Sequence, residues 1–515
     1  MKPLAIAAAS LVALLVEAAI PADCPKYDDY AARRHPPYSP GSFQYPSQRP
    51  DVRCRTYLVP EVEETIEGVR GQIADADLHR LFANTWPNTV DTTILWHGVS
   101  AENADQELAF VSTGDIHAMW LRDSANQLQS YKPILASSSA MAHLYRGAIN
   151  LQARYISRFP YCNAFQPPPE SQLAPSFARR SLAPRAAPDV HPPYDPNVVF
   201  ECKYELDSLA AFLQLSWDYY DATGDALFFA RFAWADAVRE ALKVARAMME
   251  GTYAPDGRLN KSPYTWINQA TSATETVSNS GTGNPTVGNI GLVRSFFRPS
   301  DDSTIYQHFI PANMMFSRFL SNCVPIMQPI DAQTASDMAT MAAAIDKAVR
   351  EFAVVPHPKY GDIYAFEIDG FGSSNLMDDA NIPSLLSIPH LGFRPVSDPI
   401  YRRTRDFVLS RSNPYYGVGP VLNATGGPHL GPGMAWPMGV ITQALTSDDD
   451  NEITACIKQL MGATSGLGLI HESVNTHDQT RWTRSWFAWA NGLFGQLLLH
   501  LLNEKPALLQ QSFQS

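Results

Sequence analysis

The feature that most limits the fold is a helical hairpin written into the chain between Leu206 and Ala245. Leu206, Leu209, Leu213, Trp217 and Tyr220 repeat at three- and four-residue spacing, which lines one face of an α-helix. Thr223-Gly224-Asp225 ends the run, and Phe228, Phe232, Ala237, Ala241 and Ala245 resume it. Two apolar stripes joined by so short a turn pack antiparallel. Helical patterns return at 61–85, 118–131, 141–159, 310–322, 335–353, 399–411 and 435–461. A last helix carries Trp486, Leu493, Leu497 and Leu501. Strand-like runs are few and short, such as Ile363-Tyr364-Ala365-Phe366.

A long chain of helix pairs folds either as a solenoid or as a closed toroid. No self-similarity of fixed period is present, which argues against a solenoid. Polar and aromatic clusters fall between the helices instead, as expected where loops build one pocket. The reading is an all-α (α/α) barrel with a few short strands in its loops. With 515 residues, 45% hydrophobic and 17% charged, the chain can bury a large core. A net charge of −12 argues against a nucleic-acid partner.

The helical domain is assigned to residues 61–505, with a tail at 506–515. Residues 1–22 read as a secretory signal: one lysine, a short apolar run from Leu4 to Val16, then small residues. The run is shorter than the ~20 residues of a spanning helix, so export without a membrane span is expected. Residues 23–60, rich in Pro, Tyr and Arg, are expected to wrap the surface without forming a core. Residues 166–197 form a Pro-, Ala- and Arg-rich insertion read as an exposed loop. All six cysteines follow the signal, so disulfides are allowed, and pairs Cys24–Cys54 and Cys162–Cys202 would tie the arm and clamp the insertion. Asn260 and Asn423 head glycosylation sequons, the first weakened by Pro263.

Four clusters between the helices carry polar chemistry. Thr113-Gly114-Asp115-Ile116-His117-Ala118-Met119-Trp120-Leu121-Arg122-Asp123-Ser124 joins two carboxylates, an arginine and a tryptophan. Carboxylates accept from vicinal hydroxyls and an indole face covers ring C–H groups, so a polyhydroxylated ligand suits it. A buried Arg–Asp pair propping a helix start is the alternative. Arg298-Pro299-Ser300-Asp301-Asp302 holds adjacent acids, whose side chains diverge, so at most one faces a given ligand atom. The other is expected to cap a helix starting near Tyr306. His471-Glu472 is followed by Asp478, Arg481 and Arg484, cationic company that keeps a carboxylate ionised, as a general base requires. In Met377-Asp378-Asp379-Ala380-Asn381, Asp378 reads as a hydroxyl acceptor and Asp379 as a cap. No metal-ligand spacing, GxSxG, phosphate loop or dinucleotide fingerprint is present. Several carboxylates, tryptophans and an export signal together describe a carbohydrate-cleaving site, in which one carboxyl stays protonated and another ionised.

At this level of detail the chain resembles a known family. TGDIHAMWLRDSANQ, KYELDS, FRPSDD, IYAFEIDGFG, MDDANIPSLL, HESV and TRSWFAWAN, in this order between about residues 61 and 502, resemble glycoside hydrolase family 125. The resemblance implies an (α/α)6 barrel and a metal-independent, inverting exo-α-1,6-mannosidase with no cofactor, acting on mannose-containing glycans as a secreted or secretory-pathway monomer. It places the general acid at Asp301, with Asp302 as second choice, and the general base at Glu472. Asp115, Trp120, Arg122, Asp123, Lys203, Glu205, Asp378 and His471 are the implied substrate-binding residues. Three departures stand out: His117 where the family has proline, the extra 166–197 insertion, and a loose stretch at 271–290 expected to rim the pocket.

Overall fold

The computed structural model describes residues 21–176, 188–268, 270 and 272–514. Nearly all of the expected export signal and the middle of the 166–197 insertion lie outside the described residues. Eleven helices carry the architecture: α1 (Ala76–Thr85), α2 (Leu121–Gln129), α3 (Ser139–Arg158), α4 (Leu206–Thr223), α5 (Trp234–Ala247) and α6 (Ile310–Met327) are the first six. The others are α7 (Ala332–Phe352), α8 (Pro399–Val408), α9 (Pro437–Leu445), α10 (Asp450–Gly462) and α11 (Ala488–Glu504).

Local chemistry sets their ends. Asp75 caps α1 by accepting from the Asp77 and Leu78 N–H groups at 3.0 and 3.1 Å. Asp331 and Asp398 do the same for α7 and α8. Gly224, with φ of 68°, closes α4 in a left-handed turn, a conformation that costs a residue with a Cβ.

Five helices form an inner layer. α4 packs between α2 and α6, and α11 packs against α2 and α9. Between α6 and α9 the layer is completed by the non-helical stretch 380–393. There Gly392 lies against Arg318 of α6, Ala380 touches Gly439 of α9, and Tyr401 of α8 donates to the Leu386 carbonyl at 2.9 Å. The outer layer backs it: α3 on α2 and α4, α5 on α3, α7 on α6, α10 on α9 and α1 on α11. The inner helices are buried nearly all round; α11 hides Trp489, Leu493, Phe494, Leu497, Leu498 and Leu501.

Short three-stranded antiparallel sheets introduce the inner helices. Met119–Trp120 pairs with Ala164–Phe165, which pairs with Val199–Glu201. His308–Phe309 pairs with Glu367–Ile368 and runs straight into α6. Met434–Ala435 pairs with Ser473–Asn475, itself paired with Asp478–Thr483. The starts of α2, α4, α9 and α11 therefore gather at one end of the molecule, and so do their positive dipole ends.

The helix pairs stand where periodicity put them, with shifted boundaries. The helix expected over 118–131 begins at Leu121, because Met119 and Trp120 are committed to the sheet. The 61–85 and 435–461 patterns each resolve into two helices. The N-terminal arm is held more firmly than a surface wrap. Tyr45 is fully buried with its hydroxyl on the Met461 carbonyl, and Arg49 bridges Asp91 and Glu63. Both expected disulfides are present, Cys24–Cys54 and Cys162–Cys202, while Cys323 and Cys456 are buried thiols. Among the described residues no helix is long and apolar enough to cross a membrane.

Cys162–Cys202 joins the Ala164–Phe165 strand to the Val199–Glu201 strand next to the helix-start end. Replacing both cysteines by serine opens a 40-residue loop. The expected result is a loss of about 2–4 kcal/mol in denaturant unfolding, with Cys24→Ser/Cys54→Ser costing activity less than the inner pair does.

Candidate active site

Where the inner helices begin there is a narrow cleft of about 70 Å³. Its lining is contributed by five segments distant in sequence, one of them represented by Asn381 alone. The 113–123 stretch supplies Asp115, Trp120, Arg122 and Asp123; the 299–301 turn supplies Asp301; residues 429–436 supply His429 and Trp436; and residues 472–489 supply Glu472, Arg484, Phe487 and Trp489.

Arg122, in the first turn of α2, is 2% exposed. Its Nη1 donates to Glu205 Oε2 at 2.6 Å and to Asp207 Oδ2 at 3.2 Å. Its Nη2 lies 3.1 Å from Asp123 Oδ2 and 3.5 Å from Asp301 Oδ1, and the guanidinium stands 5.9 Å over the Trp489 ring. A second buried cation, Lys203, sits 3.2 Å from Glu201. The Asn163 side-chain amide reaches Glu201, Glu205 and Asp301 at 3.2, 3.3 and 3.4 Å. Burial pushes the Asp123 and Asp207 carboxyls up to about 6 against the pull of Arg122. Burial raises Glu205 much further. At neighbouring Asp301 the Arg122 and Lys203 charges outweigh burial and hold the carboxyl low.

The two adjacent acids part company as expected. Asp301 occupies the left-handed region, φ 66°, a conformation Asp tolerates better than most residues. That turn, closed by the Asp301 N–H on the Arg298 carbonyl at 2.9 Å, aims the side chain at the cleft, where it is 25% exposed. The Asp302 side chain is 1% exposed and accepts from Ser300 at 3.1 Å and from His429 Nδ1 at 3.1 Å. Asp302 overcomes the burial of His429 and raises its imidazole to about 9, so the histidine enters the cleft as a cation. Neither acid caps a helix near Tyr306, where the chain is still irregular. Buried Glu367 accepts from the Ile305 and Tyr306 N–H groups at 3.1 and 3.2 Å while pairing with Arg298 at 2.6 Å.

Glu472 is positioned from two sides. Asn491 of α11 accepts from the Ile470 N–H at 3.0 Å, fixing the segment against the helix start. Arg484 Nε donates to Glu472 Oε1 at 3.0 Å, and the same guanidinium pairs with Asp115. His471 does not reach the cleft. It is fully buried and stacked on Trp482 at 4.6 Å, with Nδ1 3.0 Å from the Arg484 carbonyl oxygen, and burial lowers it to about 4, leaving it neutral. It holds Arg484, whose φ is 53°, in place.

Neither Asp378, expected to accept from ligand hydroxyls, nor Asp379, expected to cap, lines the cleft. Asp378 is fully buried, receives the Leu385 and Leu386 N–H groups at 2.8 and 3.0 Å, and is pushed by burial up to about 8. Asp379 bonds Asn381, which lines the cleft, and keeps one oxygen without a hydrogen-bond partner. Glu205 stands behind the lining, paired with Arg122, and Lys203 is also outside the lining, paired with Glu201. None of the described residues of 271–290 lines the cleft.

Spacing gave no signal for His429, Trp436 or Asn163, which approach only through folding. The indole N–H groups of Trp120, Trp436 and Trp489 have no hydrogen-bond partner. Buried donors of this kind, beside carboxylate acceptors and aromatic faces, match a ligand rich in hydroxyl groups. Among the described residues no group of three or more His, Cys, Asp and Glu side chains has the arrangement to hold a metal ion.

Comparison with known proteins agrees with this geometry. The chain is 47% identical over 492 residues to the meiotically up-regulated gene 157 protein of Schizosaccharomyces pombe, covering 95% of this chain and 94% of that one. The fold matches a metal-independent α-mannosidase of Streptococcus pneumoniae, solved as a non-productive complex with α-1,6-mannobiose. The TM-score is 0.75 at 29% identity, covering 87% of this chain and all of the other. Residues 75–499 match the model of the metal-independent α-mannosidase family GH125, and the chain belongs to that family.

Proposed function

We propose that this protein is an exo-acting, inverting α-mannosidase that removes non-reducing terminal α-1,6-linked mannose from mannans or glycans. On this reading the helix pairs form an (α/α)6 barrel and the protein works, as a monomer, in the secretory pathway or outside the cell. The observation that carries it is the division of labour between two carboxyls in one cleft. Asp301 belongs to a crowded acidic cluster whose burial favours protonated carboxyls, while Glu472 stands in another segment, paired with the Arg484 guanidinium. The mannobiose complex of the pneumococcal relative supports the sugar and the linkage. The two disulfides suit an oxidising compartment.

The reaction is a single displacement. Asp301 gives its proton to the glycosidic oxygen as the C1–O bond breaks. Glu472 takes a proton from the water that attacks C1 from the opposite face, so the product is β-mannose. Such a pair stands roughly 6.5–9.5 Å apart to make room for the water. Trp120, Trp436 and Trp489 offer apolar faces and free indole donors to the ring, and Asp115, Asp123 and Arg122 take its hydroxyls.

Glu472→Gln is expected to lower kcat on α-1,6-mannobiose by about 10²–10⁴-fold with binding, measured by calorimetry, within a few-fold of wild type. Full activity in that variant, or turnover of α-1,2, α-1,3 or glucan substrates in preference to the 1,6 linkage, contradicts the assignment. Asp301→Asn is expected to lose as much on mannobiose, yet far less on a dinitrophenyl α-mannoside, whose leaving group needs no proton.

A further inference from the structure

The cluster behind Asp301 has more acids than cations. Asp123, Glu201, Glu205, Asp207 and Asp301 surround only Arg122 and Lys203. The other charged groups beside Asp301, Asp302 and His429, neutralise one another. Buried like charges at this spacing do not all ionise, so the cluster keeps at least one proton at neutral pH. The side chains that meet there show where it resides. Glu205 has no exposed side-chain surface, and one of its oxygens is within reach of the same Asn163 amide that reaches Asp301. Arg122 holds both carboxyls as well, Glu205 at 2.6 Å and Asp301 at 3.5 Å, so the two groups converge on one guanidinium and one amide.

We propose that Glu205 and Asp301 share one proton and that Glu205 is the positioning residue that reloads the general acid. This rests on the proposed mannosidase reading. In each turnover Asp301 passes its proton to the leaving oxygen and is left as a carboxylate beside Arg122 and Lys203. Glu205 then gives its proton to Asp301. The proton that Glu472 took from the attacking water leaves to solvent in the cleft, and one taken up from that solvent by the partly exposed Asp301 passes on to Glu205, so the proton count closes. Sharing resolves a conflict in the site: the cations that anchor Asp301 would otherwise strip it of the proton an acid catalyst needs. The environment favours the proton on Glu205, away from water, and the substrate's oxygen draws it out through Asp301.

The test is the pH profile of kcat/KM for wild type and Glu205→Gln, on mannobiose and on a dinitrophenyl α-mannoside. Glutamine copies the shape and charge of a protonated Glu205 but has no proton to transfer. The basic limb on mannobiose is expected to move at least one pH unit lower, with activity at pH 7 down tenfold or more and the aryl mannoside changed less than threefold. Glu205→Asp, which still holds a proton, is expected to recover part of the limb; if the glutamine variant does not fold, this variant and the wild type carry the comparison. An unshifted limb, or equal losses on both substrates, overturns the inference while leaving the activity standing. A wild type inert on both substrates overturns the proposed activity and the relay with it.

Discussion

Arg122 is the interaction on which the site depends. A guanidinium almost out of water cannot stay charged without partners, and here four carboxyls from three separate segments answer it: Asp123 on its own helix, Glu205 and Asp207 at the start of α4, and Asp301 on the 299–301 turn. Its planar fork lets each terminal nitrogen serve two oxygens, which an ammonium on a flexible stem would do with less order. Removing the cation would leave buried acids unpaired, a cost that falls on the fold as well as on the chemistry. The same ion therefore fixes the meeting point of α2 and α4 and the electrostatic state of the group read as general acid.

A second constraint comes from topology. The inner helices are buried nearly all round, so their sides carry packing and their ends open onto the cleft. Short strands deliver the chain to those ends, and the Cys162–Cys202 bridge fixes one such sheet beside Lys203 and Glu205. On the far side of the cleft, Asn491 and buried His471 secure Glu472 and Arg484 without touching the cavity. The two carboxyls read as acid and base thus rest on unlike supports, one crowded with acids and the other clamped to a single arginine.

Much of this was legible in the sequence because the relevant physics is local. Helical spacing in 206–245 marks a hairpin whatever surrounds it, and the opening cluster at 113–124 announces its acids, arginine and tryptophan by proximity. Of the fifteen pairings that six cysteines allow, the two weighed as possible from position are the ones the fold makes. What could not be read is set by tertiary burial. Asp378 and Asp379 are adjacent and alike, and only the fold decides which meets the Leu385 and Leu386 amides and which keeps an unbonded oxygen. No helix starts near Tyr306 for Asp301 or Asp302 to cap, and the Ile305 and Tyr306 amides there are met by Glu367, more than sixty positions on from Asp301; the ligand-binding role expected of His471 gave way to a stack on Trp482. His429 carries no motif of its own; its charge arises from Asp302, 127 residues away in sequence.

The central claim is that two carboxyls in one cleft cleave an α-mannoside by single displacement. Proton NMR of the purified protein with α-1,6-mannobiose, followed from the first minutes and with chelator present, tests it most directly. The account predicts that the anomeric signal of β-mannose rises first and that the α-anomer appears only as mutarotation proceeds. Early α-mannose would contradict the assignment of Asp301 and Glu472 as an inverting acid and base.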